Sequence, residues 1–185
     1  MVTASKPLRA DAARNREKLL AAATQLFSER GLDVPMEHIA RHAEVSIGTL
    51  YKHFPTREDL FTAIFPQRLA ALDVIGEKAL ADPDPWHAFV VYLDDLYALQ
   101  AEDLGLNDIL ARDLPRAPEV VSACHRGVGH TEILIDRALA AGVLRPDYSI
   151  TDMATLTRAM AQVIRDSPGE WRRFLSIYVD GLRTP

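Results

Sequence analysis

The chain has 185 residues, 48% of them hydrophobic, and a formal net charge of −5. That length suits one domain or a small domain joined to a larger one, and the composition excludes a disordered or fibrous chain. One cysteine excludes an intrachain disulfide and a multi-cysteine zinc site. No apolar run follows a basic start, and no stretch reaches the ~20 apolar residues of a membrane span, so a reducing cytoplasm is the expected compartment.

Charge is unevenly distributed. Residues 1–65 hold 9 Lys/Arg against 8 Asp/Glu, a net of +1, whereas residues 66–185 hold 12 against 18, a net of −6. The positive excess concentrates at Lys6, Arg9, Arg14, Arg16 and Lys18. An acidic body with a basic leading edge orients approach to a polyanion.

Residues 1–10 lack apolar periodicity and read as a flexible basic arm. The first predicted helix covers 11–30, buries Leu19, Leu20, Ala23, Leu26 and Phe27, and stops at Gly31. Arg14 and Lys18, at i and i+4, share a face near its start. Residues 36–54 then read as two short helices with a tight corner. Ile39, Ala40 and Ala43 form one apolar stripe, and Ile47, Leu50 and Phe54 a second. Val45 plugs the corner, and Ser46 is the expected N-cap of the second helix. This is the spacing of a helix-turn-helix, whose second helix enters the major groove of DNA. With the stripe turned inward, Gly48, Thr49, Tyr51, Lys52 and His53 face out, without an acidic side chain among them. Hydroxyl, ammonium and imidazole groups can bond phosphates or base edges, and Gly48 lets the backbone come close.

The segment resembles the DNA-binding domain of the TetR family of bacterial transcriptional regulators. The resemblance is carried by Ile39-Ala40, Ala43, Val45-Ser46, Gly48-Thr49-Leu50-Tyr51, His53-Phe54 and Arg57-Glu58-Asp59-Leu60, with Leu20 to Phe27 and Gly31 upstream. It covers roughly residues 12–65. It implies DNA contacts from Ser46, Gly48, Thr49, Tyr51, Lys52, His53 and Arg57, with Arg14 and Lys18 as further phosphate partners. The chain departs from the family at Val34-Pro35, where many members carry a capping Ser or Thr.

Thr56 and Asp59 predict a capping box for a helix from Arg57 to about Ala81, with Pro66 interrupting it. Asp82-Pro83-Asp84-Pro85 is a break, after which Asp84 caps a helix over 84–102. Further helices are predicted over about 105–113, 117–141, 150–166 and 168–182, the third of these four opened by a Ser149/Asp152 capping box. The expected fold is all-α, with about nine helices. A three-helix helix-turn-helix domain (11–65) precedes a helical ligand-binding and dimerisation domain (66–185).

The last two helices have wide apolar arcs, and a palindromic operator requires a two-fold protein. Together these predict a homodimer through Met153, Leu156, Met160, Val163, Ile164, Trp171, Phe174, Leu175, Tyr178 and Leu182. The resemblance also implies a small, mostly apolar effector among the central helices, with Trp86, Phe89, Leu93, Tyr97, Leu110, Cys124, His125 and Met160 as candidate walls. The expected function is a repressor released from double-stranded DNA by that ligand, with no cofactor and no metal. The alternatives are a helical-bundle enzyme and an interaction module that does not bind DNA. Against the first, Glu-x-x-His, nucleophile-elbow, Walker and dinucleotide fingerprints are absent, and His125 and His130, five apart, diverge on a helix. The second leaves Gly48-Thr49-Leu50-Tyr51 and Arg57 unexplained.

Overall fold

The computed structural model describes residues 6–112 and 118–184. Its described residues form nine helices: α1 Lys6–Arg30, α2 Met36–His42, α3 Ile47–His53, α4 Arg57–Leu80, α5 Pro85–Glu102, α6 Leu104–Ala111, α7 Pro118–Ala140, α8 Ile150–Asp166 and α9 Trp171–Asp180. One isolated antiparallel bridge joins Leu144 to Arg183 and ties the end of α9 to the loop after α7. The fold is all-α, with a head of α1–α3 and a body of α5–α9, connected by α4.

Local chemistry sets most helix ends. The Ser46 side chain accepts a hydrogen bond from the Thr49 N–H at 3.2 Å. Thr56 and Asp59 make the full capping box, and Asp84 accepts from the N–H groups of Trp86 and His87, with Pro85 at the first helical position. The Ser149 N–H donates to Asp152 at 2.9 Å. Two boundaries differ from those predicted. The described part of the expected arm, from Lys6 onward, is already helical and belongs to α1, where Leu8, Arg9 and Ala10 are good helix formers. α4 runs through Pro66 as one element, since its length is packed along α7 and tertiary contact outweighs one lost backbone bond.

The wide arcs of α8 and α9 close within the chain. Met153, Leu156, Met160, Ile164, Trp171, Leu175 and Leu182 are buried against α5 and α6 and belong to the body's own core. They are therefore not a free dimerisation face. Of the residues expected there, Phe174 is exposed and Val163 and Tyr178 are half-buried.

The short helix α6 fastens the head to the body. Its Gly105 lies flat on Phe27 of α1, where an added Cβ would stand 3.1 Å from the Phe27 side chain and carbonyl oxygen. Asp103, its N-cap, pairs with Arg68 of α4, and the Asn107 amide donates to the Ala161 carbonyl of α8 at 3.2 Å. The buried Asp108 carboxylate accepts from the Leu32 N–H at 2.8 Å and from Arg165 of α8. Arg112 lies 3.2 Å from Asp108 and grips Asp33 of the α1–α2 loop through two bonds of 3.0 and 2.9 Å. Those bonds hold the Asp33 carboxyl below its ordinary 3.8, so its link is formed above that pH and lost as pH falls further. Gly31, at φ 79°, ends α1 against Asp108 and Arg165 and leaves no room for a side chain.

Two stability outcomes follow from these contacts. Asp108→Ala leaves Arg165 and the buried Leu32 N–H without their acceptor and Arg112 with Asp33 alone, and urea unfolding should register a loss of about 3–5 kcal/mol. Glu44, at φ 57° in the corner between α2 and α3, holds a left-handed conformation that side chains disfavour. Glu44→Gly should raise thermal stability, by about 1 kcal/mol at most.

Candidate nucleic-acid interface and effector cavity

The reading surface is built on α3. Leu50 and Phe54 are buried against α1 and α2 and fix the helix's rotation. Ser46, Gly48, Tyr51 and Lys52 are exposed, and Thr49 and His53 are half-buried. Tyr51 is 45% exposed, its phenol free to reach outward. The Thr49 hydroxyl lies 2.9 Å from that of Ser46, which orients both at the helix start. Nothing within 4 Å would meet a Cβ on Gly48, so the backbone there faces open space.

Ile47 departs from its expected place. It is 38% exposed rather than buried, at the first position of α3. It adds an apolar group to a polar face, which suits contact with a thymine methyl.

Arg57 is half-buried, and its guanidinium donates to the Val34 carbonyl just ahead of α2. The expected cation at the start of α4 thus clasps the motif from behind. Pro35, the N-cap of α2, provides no side-chain cap. Arg14 is exposed and paired with Asp11 at 2.7 Å. Lys18 is exposed and lines a shallow hollow with Gln25, His42 and Glu44, beside the α2–α3 corner. Arg16, not singled out in the sequence, lies 5.3 Å over the Phe54 ring at the far end of α3. Its signal was the density of basic residues in 14–18, which gives no indication of which one reaches the motif.

The body encloses a cavity of about 230 Å³ between α4, α5, α6, α7 and α8. Leu110 and Cys124, both expected there, line it, but the other expected walls lie elsewhere. Phe89, Leu93, Tyr97 and Met160 are buried in the core behind it. Trp86 lines a separate groove between α5 and α9 under Arg183, and His125 is exposed. The reason is helical phase. On α5 the cavity face is Tyr92, Leu96 and Gln100, whereas Phe89, Leu93 and Tyr97 point to the core one step around the cylinder.

Within the cavity the Tyr92 and Thr131 hydroxyls are 2.6 Å apart, and Thr131 donates to the Gly127 carbonyl. Burial pushes the Cys124 thiol up to about 11, which keeps it protonated and unreactive at neutral pH. α6 contributes Ile109, Leu110 and Arg112, so the helix that fastens the head also forms a wall of the cavity. Among the described residues no cluster of His, Cys, Asp or Glu is arranged to hold a metal ion. No helix there is long and apolar enough to cross a membrane.

Head and body each match a known family. Residues 19–64 match the model for bacterial regulatory proteins of the tetR family. Residues 84–184 match the transcriptional regulator SbtR-like C-terminal domain. The HTH-type transcriptional repressor BepR of Brucella suis biovar 1 (strain 1330) is 37% identical over 86 residues, which are 43% of this chain and 39% of BepR. The chain thus spans well under half the length of that curated relative. Among solved structures, the TetR transcription regulatory protein from Mycobacterium vanbaalenii is 34% identical, with 96% of this chain and 100% of that one covered and a TM-score of 0.51. The TetR transcriptional regulator SCO0520 from Streptomyces coelicolor is also 34% identical, with 91% and 98% covered and a TM-score of 0.55. With its head and its body both matched, the chain belongs to the TetR family of bacterial transcriptional regulators.

Proposed function

We propose that this protein is a homodimeric repressor that binds a palindromic operator and is released from it by a small ligand held in the body. The observation that carries the reading is the rotation of α3. Leu50 and Phe54 hold one side against the head, and Gly48, Thr49, Tyr51 and Lys52 are left outward with no acidic neighbour on the helix. Lys52, with Lys18 and Arg16 nearby, supplies phosphate contacts, and Tyr51 and Thr49 supply contacts to base edges and backbone.

A palindrome needs two such heads. The outward faces of α8 and α9 offer the contact: Phe174, 39% exposed, and Ile177, 56% exposed, on α9, and the exposed small or polar Thr155, Ala159 and Gln162 on α8. Large apolar groups opposite small ones let helices of two copies approach closely. Release is a population shift. A ligand in the cavity presses on Ile109 and Leu110 of α6, and α6 carries the Asp108 and Arg112 links to the head. Dimers whose heads match successive major grooves then lose population to dimers whose heads do not. A coupling of about 1–3 kcal/mol lowers affinity roughly 5- to 150-fold.

Two experiments bear on this. Duplex fragments selected from genomic DNA by the purified protein provide the probe. Tyr51→Ala with Lys52→Ala should abolish binding while circular dichroism and sedimentation stay unchanged. Lys52→Ala alone should reduce the slope of log affinity against log salt by about 1. Affinity and slope equal to the wild type would remove α3 from the mechanism. Phe174→Glu with Ile177→Glu should yield folded monomers in sedimentation at micromolar concentration and weaken operator binding by about 100-fold or more. A dimer that survives both substitutions would place the interface elsewhere.

A further inference from the structure

Among the described residues, Gln100 is the side chain with two buried polar atoms that have no partner. It lies on α5 just before the corner into α6, lines the cavity and is 0% exposed. Its backbone carbonyl accepts from the Asp103 N–H at 3.3 Å, but neither atom of its side-chain amide has a hydrogen-bond partner among the described residues. A buried amide in that state is costly, and native proteins keep such groups where something outside the chain satisfies them.

The other polar side chains around the cavity are already engaged. The Tyr92 and Thr131 hydroxyls bond each other. The Thr157 hydroxyl donates to the Met153 carbonyl at 3.0 Å. Arg112 is held by Asp33 and Asp108, and Arg158 donates to Thr155 at 3.2 Å. Gln100 therefore keeps an unpartnered donor and acceptor at the wall of the cavity, among the apolar side chains of Leu72, Leu96, Ile109 and Met153.

We infer that the cavity recognises a ligand with an amide-type edge, an N–H beside a C=O, on a compact apolar body: a primary amide, a lactam or an imide. Such an edge meets both atoms of Gln100 in a cyclic pair of hydrogen bonds. A carboxylate satisfies the Gln100 N–H but turns a negative charge on its carbonyl oxygen, so it meets only one of the two amide atoms. A ketone or ether leaves the acceptor dry. The volume of about 230 Å³ exceeds the ~150 Å³ that holds one benzene, which suits a ligand of modest size. The inference rests on the reading of this cavity as the effector site and supplies the chemistry that site selects.

The test measures direct binding to the full chain by calorimetry with three probes of matched shape: heptanamide, the corresponding methyl ketone and heptanoate. Heptanamide should bind the wild type about tenfold or more tightly than the ketone, since a site built for a donor rejects an analogue without one. Gln100→Leu should abolish that preference and leave ketone binding nearly unchanged, and Gln100→Met should do the same without a branched side chain. Both variants should melt at or above the wild-type temperature, because each removes an unpaired buried amide. An equal preference in wild type and variants, as in a chamber where water satisfies Gln100, overturns the inference. So does tightest binding by heptanoate, or no binding of any probe. Operator release is assayed separately. Heptanamide that binds through Gln100 and leaves operator affinity unaltered supports the recognition and counts against the regulatory reading alone.

Discussion

A buried carboxylate at the seam between head and body constrains the whole structure. Asp108 is out of water and must keep its partners or the seam must open, because an unpaired charge in that setting is far too costly to persist. Its partners come from three places: the backbone after α1, the start of the loop beyond α6, and α8. Head and body are consequently joined by a contact that resists gradual loosening. It is made or it is broken, which is the behaviour a two-state device requires.

α6 is where this constraint meets the cavity. With its N-cap it touches α4 through Asp103, α1 through Gly105, α8 through Asn107 and the cavity through Ile109 and Leu110. A helix that short has no slack, so a push on its cavity side moves its head side. The route from chamber to reading helix is a chain of touching groups, each named and each removable. The grip of Arg112 on Asp33 lies at its end and belongs to both regions, since Arg112 also lines the chamber.

What could be read in the sequence was what depends on near neighbours. Capping by Ser46, Thr56 and Asp84 follows from side chains bonding N–H groups two or three residues ahead, and the structure has all three. The inward set Leu50 and Phe54 follows from helical spacing. What failed depended on tertiary support. Ile47 shares that spacing yet stands 38% exposed at the first turn of α3. The arcs of α8 and α9 were wide because two layers of the same chain cover them, which periodicity cannot distinguish from a partner's surface. On α5 more than one face is apolar, so nothing in the sequence marked Leu96 as chamber wall and Leu93 as core. Gln100 passed unnoticed because one polar residue in an apolar helix attracts attention only when its surroundings are known to be dry.

The clasp between Arg57 and the Val34 carbonyl has an effect on how the head travels. It couples the first turn of α4 to the backbone entering α2, so a swing of α4 carries the whole motif along as a rigid paddle. In the dimer proposed above, each paddle would then keep its grip pattern for a single half-site in either state, and only the gauge between the two paddles would alter. Derepression of that kind would leave an assembly that can still cling to DNA by one hand. It would remain near its target by sliding and resume the two-handed hold once the small molecule departs.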